Sequence, residues 1–157
     1  MPVDVELLTV GYEGEDLEAF VAKLQRAGVE RVIDVRFTPL SRKRGFSKTP
    51  LSERLKGAGI EYVHYKELGT PKVYREEYKR THDLETFLGR YDRYLDDHLK
   101  TMQVVYQLCG TRRSALLCFE SDARCCHRSV LARRLSTDFV GPHHLVVRDL
   151  PPAGSAV

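Results

Sequence analysis

Five short apolar, often β-branched runs punctuate the chain: ELLTVGY at 6–12, RVIDVR at 31–36, IEYVHY at 60–65, SALLCFE at 114–120 and HHLVVRDL at 143–150. Between them lie segments whose apolar residues recur at helical spacing. Residues 15–27 place Leu17, Phe20, Val21, Leu24 and Ala27 on one face before Gly28 ends the helix. TPLSERLKGAG at 49–59 has Thr49 as cap, Pro50 just inside and a glycine at its end. From Leu84 to Leu108 the pattern extends over some seven turns, with a break expected at Gly89. CHRSVLARRL at 126–135 is the last helical segment, and 66–82 reads as a long polar loop with one helical turn. Strands that alternate with helices imply right-handed crossovers, and so a mainly parallel sheet of about five strands with helices on both faces. The expectation is a single α/β domain, Rossmann-like, over residues 1–150, followed by a frayed tail at 151–157.

A chain of 157 residues with 42% hydrophobic content suits one such domain. No apolar run reaches the roughly 18 residues a bilayer demands, and the N-terminus lacks the basic-then-apolar order of a signal peptide. A cytoplasmic protein without membrane partners is expected. The cysteines at 109, 118, 125 and 126, two of them adjacent, do not form a disulfide framework and read as reduced thiols. A net charge of +3 identifies no partner, but its distribution is uneven. RFTPLSRKRGFSK, residues 36–48, holds five basic residues and no acidic one, with Phe37 and Phe46 interleaved. That loop is either a solvated surface or a site for an anion.

Ligands of open parallel sheets bind beyond the carboxyl ends of the strands. The residues there are Tyr12, Asp34, Arg36, His64, Cys118 and Glu120. The basic loop adds Ser41, Arg42 and Lys48, and the last helix begins at Cys126, His127 and Arg128.

These residues carry a family likeness. The order TVGYEG, IDVRFTPLSRKRGFSK, IEYVHYKELG, LLCFESDARCCHRSVLA resembles the bacterial and archaeal "domain of unknown function 488" family, from about residue 8 to 135. The matching elements are Gly11, Asp34-Val35-Arg36, Pro39, Ser41-Arg42, Gly45 to Lys48, Tyr62, His64, Leu68-Gly69, Cys118, Glu120 and Cys126-His127-Arg128. The resemblance implies the α/β fold and the site, and assigns no reaction. The chain departs from it in having Gly-Tyr at 11–12 where many relatives have Gly-His, and in the extra Cys125.

The residues themselves suggest several chemistries. At a helix start, Cys126 is favoured as a thiolate, with His127 and Arg128 as nearby cations. The same position favours an anion, on which Arg36, Arg42 and Lys48 can converge. A small buried cysteine beside a capping histidine is the plainer reading. Glu120 serves either as acid-base group or as partner to Arg36 or Arg128, His64 as base, as ligand or as satisfied core side chain, and Asp34 orients Arg36. Cys118 and Arg124 have the Cys-x5-Arg spacing of a phosphate loop, but Glu120 and Asp122 inside it would repel a phosphate. Potential ligands abound, yet their spacing matches no standard zinc pattern, so neither metal nor cofactor is assigned.

Three functions compete. One is a small enzyme acting on an anionic, phosphate-bearing substrate, a nucleotide or nucleic-acid component. Glu120, Cys126 and His64 are then its catalytic groups; Arg36, Ser41, Arg42, Lys48, His127, Arg128 and Tyr12 bind substrate. Another is a non-catalytic nucleic-acid-binding module built on loop 36–48, with Phe37 or Phe46 stacking on a base. The third is a metal or redox site at Cys125 and Cys126.

Overall fold

The computed structural model describes residues 2–152. Its strands are β1 (Val3–Gly11), β2 (Arg31–Asp34), β3 (Glu61–His64), β4 (Ser114–Cys118) and β5 (His143–Asp149), all parallel, in the order β3-β2-β4-β1-β5. The helices are α1 (Leu17–Arg26), α2 (Lys48–Gly57), α3 (Lys72–Thr81), α4 (Leu84–Leu95), α5 (Leu99–Cys109) and α6 (His127–Thr137). No helix among the described residues is long and apolar enough to cross a membrane. Of the tail expected at 151–157, Pro151 and Pro152 are exposed, and residues 153–157 lie outside the described residues.

The chain crosses the sheet in one direction through β1, β2 and β3, then returns through β4 to β5. With right-handed crossovers the outward connections lie on one face and the returning ones on the other. The side chains divide accordingly. Leu8, Val10, Val32, Ala115 and Leu117 pack against Phe20, Val21 and Leu24 of α1 and Leu51 and Leu55 of α2. Their neighbours in sequence, Leu7, Ile33 and Leu116, face Tyr91, Met102, Val105 and Leu131 from α4, α5 and α6. Strands covered on both faces read as continuous apolar runs, which is why SALLC is buried at every residue. Reversal of the winding next to β4 leaves a crevice beyond the carboxyl ends of β1, β4 and β2.

Three expectations need correction. Residues 72–81 are not loop but α3, which buries no residue fully; it leans on α4 through Tyr78, stacked on Phe87 at 4.8 Å, and through Tyr74 edge-on to Tyr94. The long helix breaks at Asp96–His98 rather than at Gly89, and the break brings Asp96 to the Arg134 guanidinium at 2.8 Å. Thr49 lies inside α2, whose N-cap position is Ser47. The Ser47 hydroxyl is engaged with Ser41 instead of with the helix.

Candidate functional site

Close packing at two glycines shapes the crevice. A side chain on Gly11 would lie 1.8 Å from the Glu120 carbonyl oxygen, and one on Gly69 would lie 2.2 Å from the Phe37 nitrogen. Gly11 thus lets the loop after β4 fold over the end of β1, where the Phe119 carbonyl accepts from the Tyr12 and Glu13 amides at 3.1 and 2.9 Å. Gly69 lets the segment after β3 cross the start of the basic loop. The resulting cavity has a volume of about 450 Å³.

On its floor are Cys118, Glu120 and His127. Arg42 of the basic loop and Arg75 and Lys79 of α3 contribute positive charge, and Phe37, Tyr78, Phe87 and Phe119 contribute aromatic surface. The Arg75 Nε is buried without a hydrogen-bond partner. Arg75 and Lys79 are not among the residues the sequence points to, because a loop is expected where α3 lies. Their separation of four residues, with Tyr74 and Tyr78 in the same register, was the available signal.

Arg36 and Tyr12 also line the cavity, but their polar groups are occupied with one another. Asp34, fully buried, accepts from the Arg36 Nε at 2.9 Å and Nη2 at 2.7 Å, and from the Tyr62 hydroxyl. The other Arg36 nitrogen, Nη1, donates to the Phe46 carbonyl at 2.6 Å and to the Tyr12 hydroxyl at 3.2 Å. Burial opposes the Arg36 charge, while the hydrogen bonds and charge of Asp34 hold the guanidinium firmly protonated. Burial and the Asp34 charge push the Tyr62 phenol up. Arg36 is therefore a neutralised strut between strand ends. Its carbonyl takes His64 Nε2 at 2.7 Å, which holds His64 outside the cavity lining and away from the floor.

The basic loop divides. Ser41 and Arg42 line the crevice, the Ser41 hydroxyl accepting the Lys43 amide at 3.0 Å, whereas Lys43 and Arg44 lie against Asp16, Leu17 and Glu18 on the α1 side. Lys48 is exposed at the start of α2, outside the lining. Phe46 is wholly buried, stacked on Tyr12 at 4.4 Å and edge-on to Phe20, so it belongs to the core and has no face for a base.

Cys126, at the N-cap of α6, is 1% exposed and lies behind the floor; the thiol that lines the cavity is Cys118. Cys125 beside it is exposed, so the two adjacent cysteines occupy different surroundings. His127 joins the buried sulfurs. Its Nδ1 lies 3.5 Å from the Cys126 Sγ and 3.6 Å from the Cys118 Sγ, and its Nε2 is 2.7 Å from the Val35 carbonyl. That carbonyl can only accept, so Nε2 carries a proton. The ligating atoms of Cys118, Cys126 and His127 all lie within 4.8 Å of one another, a group able to hold a metal ion. Cys118 also donates to the Glu120 Oε2 at 3.3 Å. Arg128, fully buried, grips the turn after β4 through the Glu120 carbonyl at 2.5 Å rather than through its carboxylate. Arg124 is turned outward onto Asp122, so no phosphate loop forms around Cys118.

Burial alone would raise the Cys126 thiol, but the Cys118 hydrogen bond and the His127 and Arg128 charges hold it well below the ordinary thiol range. The hydrogen bond to Cys126, then burial, push Cys118 the other way. Burial opposes protonation of His127, and the Cys126 charge overcomes it. Burial, reinforced by the Cys126 charge, lifts the Glu120 carboxyl to about 7.

A protein-family model described as Domain of unknown function DUF488 matches residues 16–135. No curated protein and no solved structure matches the chain.

Proposed function

The chain belongs to the DUF488 family, and on that premise we propose that it is a small enzyme acting on an anionic, phosphate-bearing substrate, a nucleotide or nucleic-acid component, in the strand-end crevice. One observation carries the reading: a single cavity combines cations at Arg42, Arg75 and Lys79, aromatic walls, and a floor of Cys118, Glu120 and His127. Cations suit the phosphate, aromatic faces suit a base, and a carboxyl near neutrality suits proton transfer. The catalytic assignment moves with the geometry. Glu120 remains the acid-base group, Cys118 replaces Cys126 as the sulfur facing substrate, and His64 and Arg36 become positioning residues. Free thiols on this floor suit a reducing, cytosolic setting.

A non-catalytic nucleic-acid module has less support, because Phe46 is buried and Lys43 and Arg44 lie on a different surface from Arg42. Calorimetric titration with nucleotides and with a single-stranded oligonucleotide at two salt concentrations separates the readings. The enzyme reading expects nucleotide binding that is lost on replacing Arg42 and Lys79. Binding of the oligonucleotide alone, abolished by replacing Lys43 and Arg44, would replace it with the module.

A further inference from the structure

We propose that Cys118, Cys126 and His127 form a zinc site with three protein ligands, whose fourth position opens into the crevice beside Glu120. The donors come from the end of β4 and the first turn of α6, and only folding brings them together. Spacing along the chain conceals them because seven residues separate the cysteines and the histidine follows directly.

Both sulfur–nitrogen distances are those of a tetrahedral site. Zinc bonds of about 2.3 Å to sulfur and 2.0–2.1 Å to nitrogen place sulfur and nitrogen about 3.6 Å apart along a tetrahedral edge. The two sulfurs lie 3.6 and 3.5 Å from the His127 Nδ1. With Nε2 donating to Val35, the lone pair that a metal-binding imidazole offers is on Nδ1, the ring atom turned toward both sulfurs. One ion on the axis of that lone pair satisfies both sulfurs at once. The Val35 carbonyl is the outer partner that a ligating imidazole requires to fix its ring, and the Tyr91 ring, edge-on at 5.0 Å, packs beside it. Two thiolates and a divalent ion sum to no net charge, so this arrangement is cheaper to bury than thiolates alone. Thiolate and imidazole together select zinc over magnesium or calcium.

Structural zinc sites close with four protein ligands; a site with three leaves room for water or substrate. Cys118 and His127 line the crevice while Cys126 closes the back, so the open corner faces the cavity. Glu120, its Oε2 3.3 Å from the Cys118 Sγ, stands beside that corner, placed to take the proton of a water held there. Such a set, with a carboxylate outside it, serves hydrolytic attack on a bound substrate. The inference rests on the crevice reading for its substrate and not for the ion.

Metal content of wild-type protein purified without a metal-affinity tag is the first readout, and stoichiometric zinc is expected. After chelation, cobalt titration should give a thiolate-to-cobalt charge-transfer band and the visible absorption of a tetrahedral site. Cys118→Ser and Cys126→Ser should each lose the band, and Cys125→Ser should keep it. Wild-type protein with neither stoichiometric metal nor a thiolate band overturns the proposal, and this does not depend on whether any variant folds. Retention of the band in both serine variants overturns it too. Nucleotide titration of the chelated protein separates the two claims. Nucleotide binding with no metal leaves the crevice reading and removes the ion; metal binding with no phosphate compound bound does the reverse.

Discussion

The His127 Nε2 lies 2.7 Å from the carbonyl oxygen of Val35, and this bond across the sheet edge turns the other ring nitrogen toward two sulfurs. The chemistry of the crevice floor follows from that orientation. Val35 continues β2 and His127 opens α6, so the site is anchored to the sheet and not to a mobile loop.

Arg42 and Lys79 are expected to bind substrate charge, and Lys43 and Arg44 are not. Replacing either crevice residue with alanine should weaken a phosphate ligand by about three- to tenfold. The Lys43→Ala/Arg44→Ala double variant should leave affinity unchanged, as read by calorimetry at fixed salt.

Asp34 is the counter-charge that allows Arg36 to be buried. Asp34→Ala should cost about 3–5 kcal/mol in denaturant unfolding, because it strands a buried guanidinium. Lys48→Ala, at an exposed position outside the crevice, should change stability by less than about 0.5 kcal/mol.

Gly11 should tolerate no side chain. Gly11→Ala forces the Glu120 carbonyl aside, with an expected loss of about 1–3 kcal/mol and displacement of Cys118 and Glu120. Loss of ligand affinity in a variant that still unfolds cooperatively is the checking measurement.

In metal-free protein the Glu120 carboxyl titrates at about 7, raised from an ordinary 4.5 by burial and then by the Cys126 charge. A folded value above the unfolded one means that its contribution to stability is fully present below pH 4.5 and lost as pH rises through 7. Binding of an anion should weaken over the upper part of that window as the carboxylate forms beside it. Glu120→Gln should flatten both profiles.

Thiol reactivity should rank by burial. Cys125, exposed, should react with a thiol reagent at once, whereas Cys109, whose thiol burial raises to about 12, should react only on unfolding. Peptide mapping of a brief alkylation pulse reads the order.

The strands were legible because a parallel sheet covered on both faces requires uninterrupted apolar runs, and RVID and SALLC are buried throughout. The edge of the crevice was legible too, since the carboxyl ends of parallel strands meet there. Helix α3 was not, because its contacts are tyrosines packed on another helix rather than aliphatic side chains on the sheet. Nor does sequence say which polar groups are consumed by one another. Arg36 reads as an anion ligand oriented by Asp34, and the sequence does not show that Phe46 and Tyr12 take its remaining nitrogen. Cys126 reads as a candidate nucleophile because it begins a helix, yet it is buried and Cys118 at the end of β4 lines the cavity in its place.

Occupation of the strand-end crevice by a phosphate-bearing ligand can be read by amide chemical-shift mapping of labelled protein titrated with a nucleotide. Saturable shifts are expected at Phe37 to Arg42, at Arg75 to Lys79 and at Phe119 to Glu120. Shifts confined to Lys43 and Arg44 and the facing end of α1, or no saturable shifts with any phosphate compound, would contradict it.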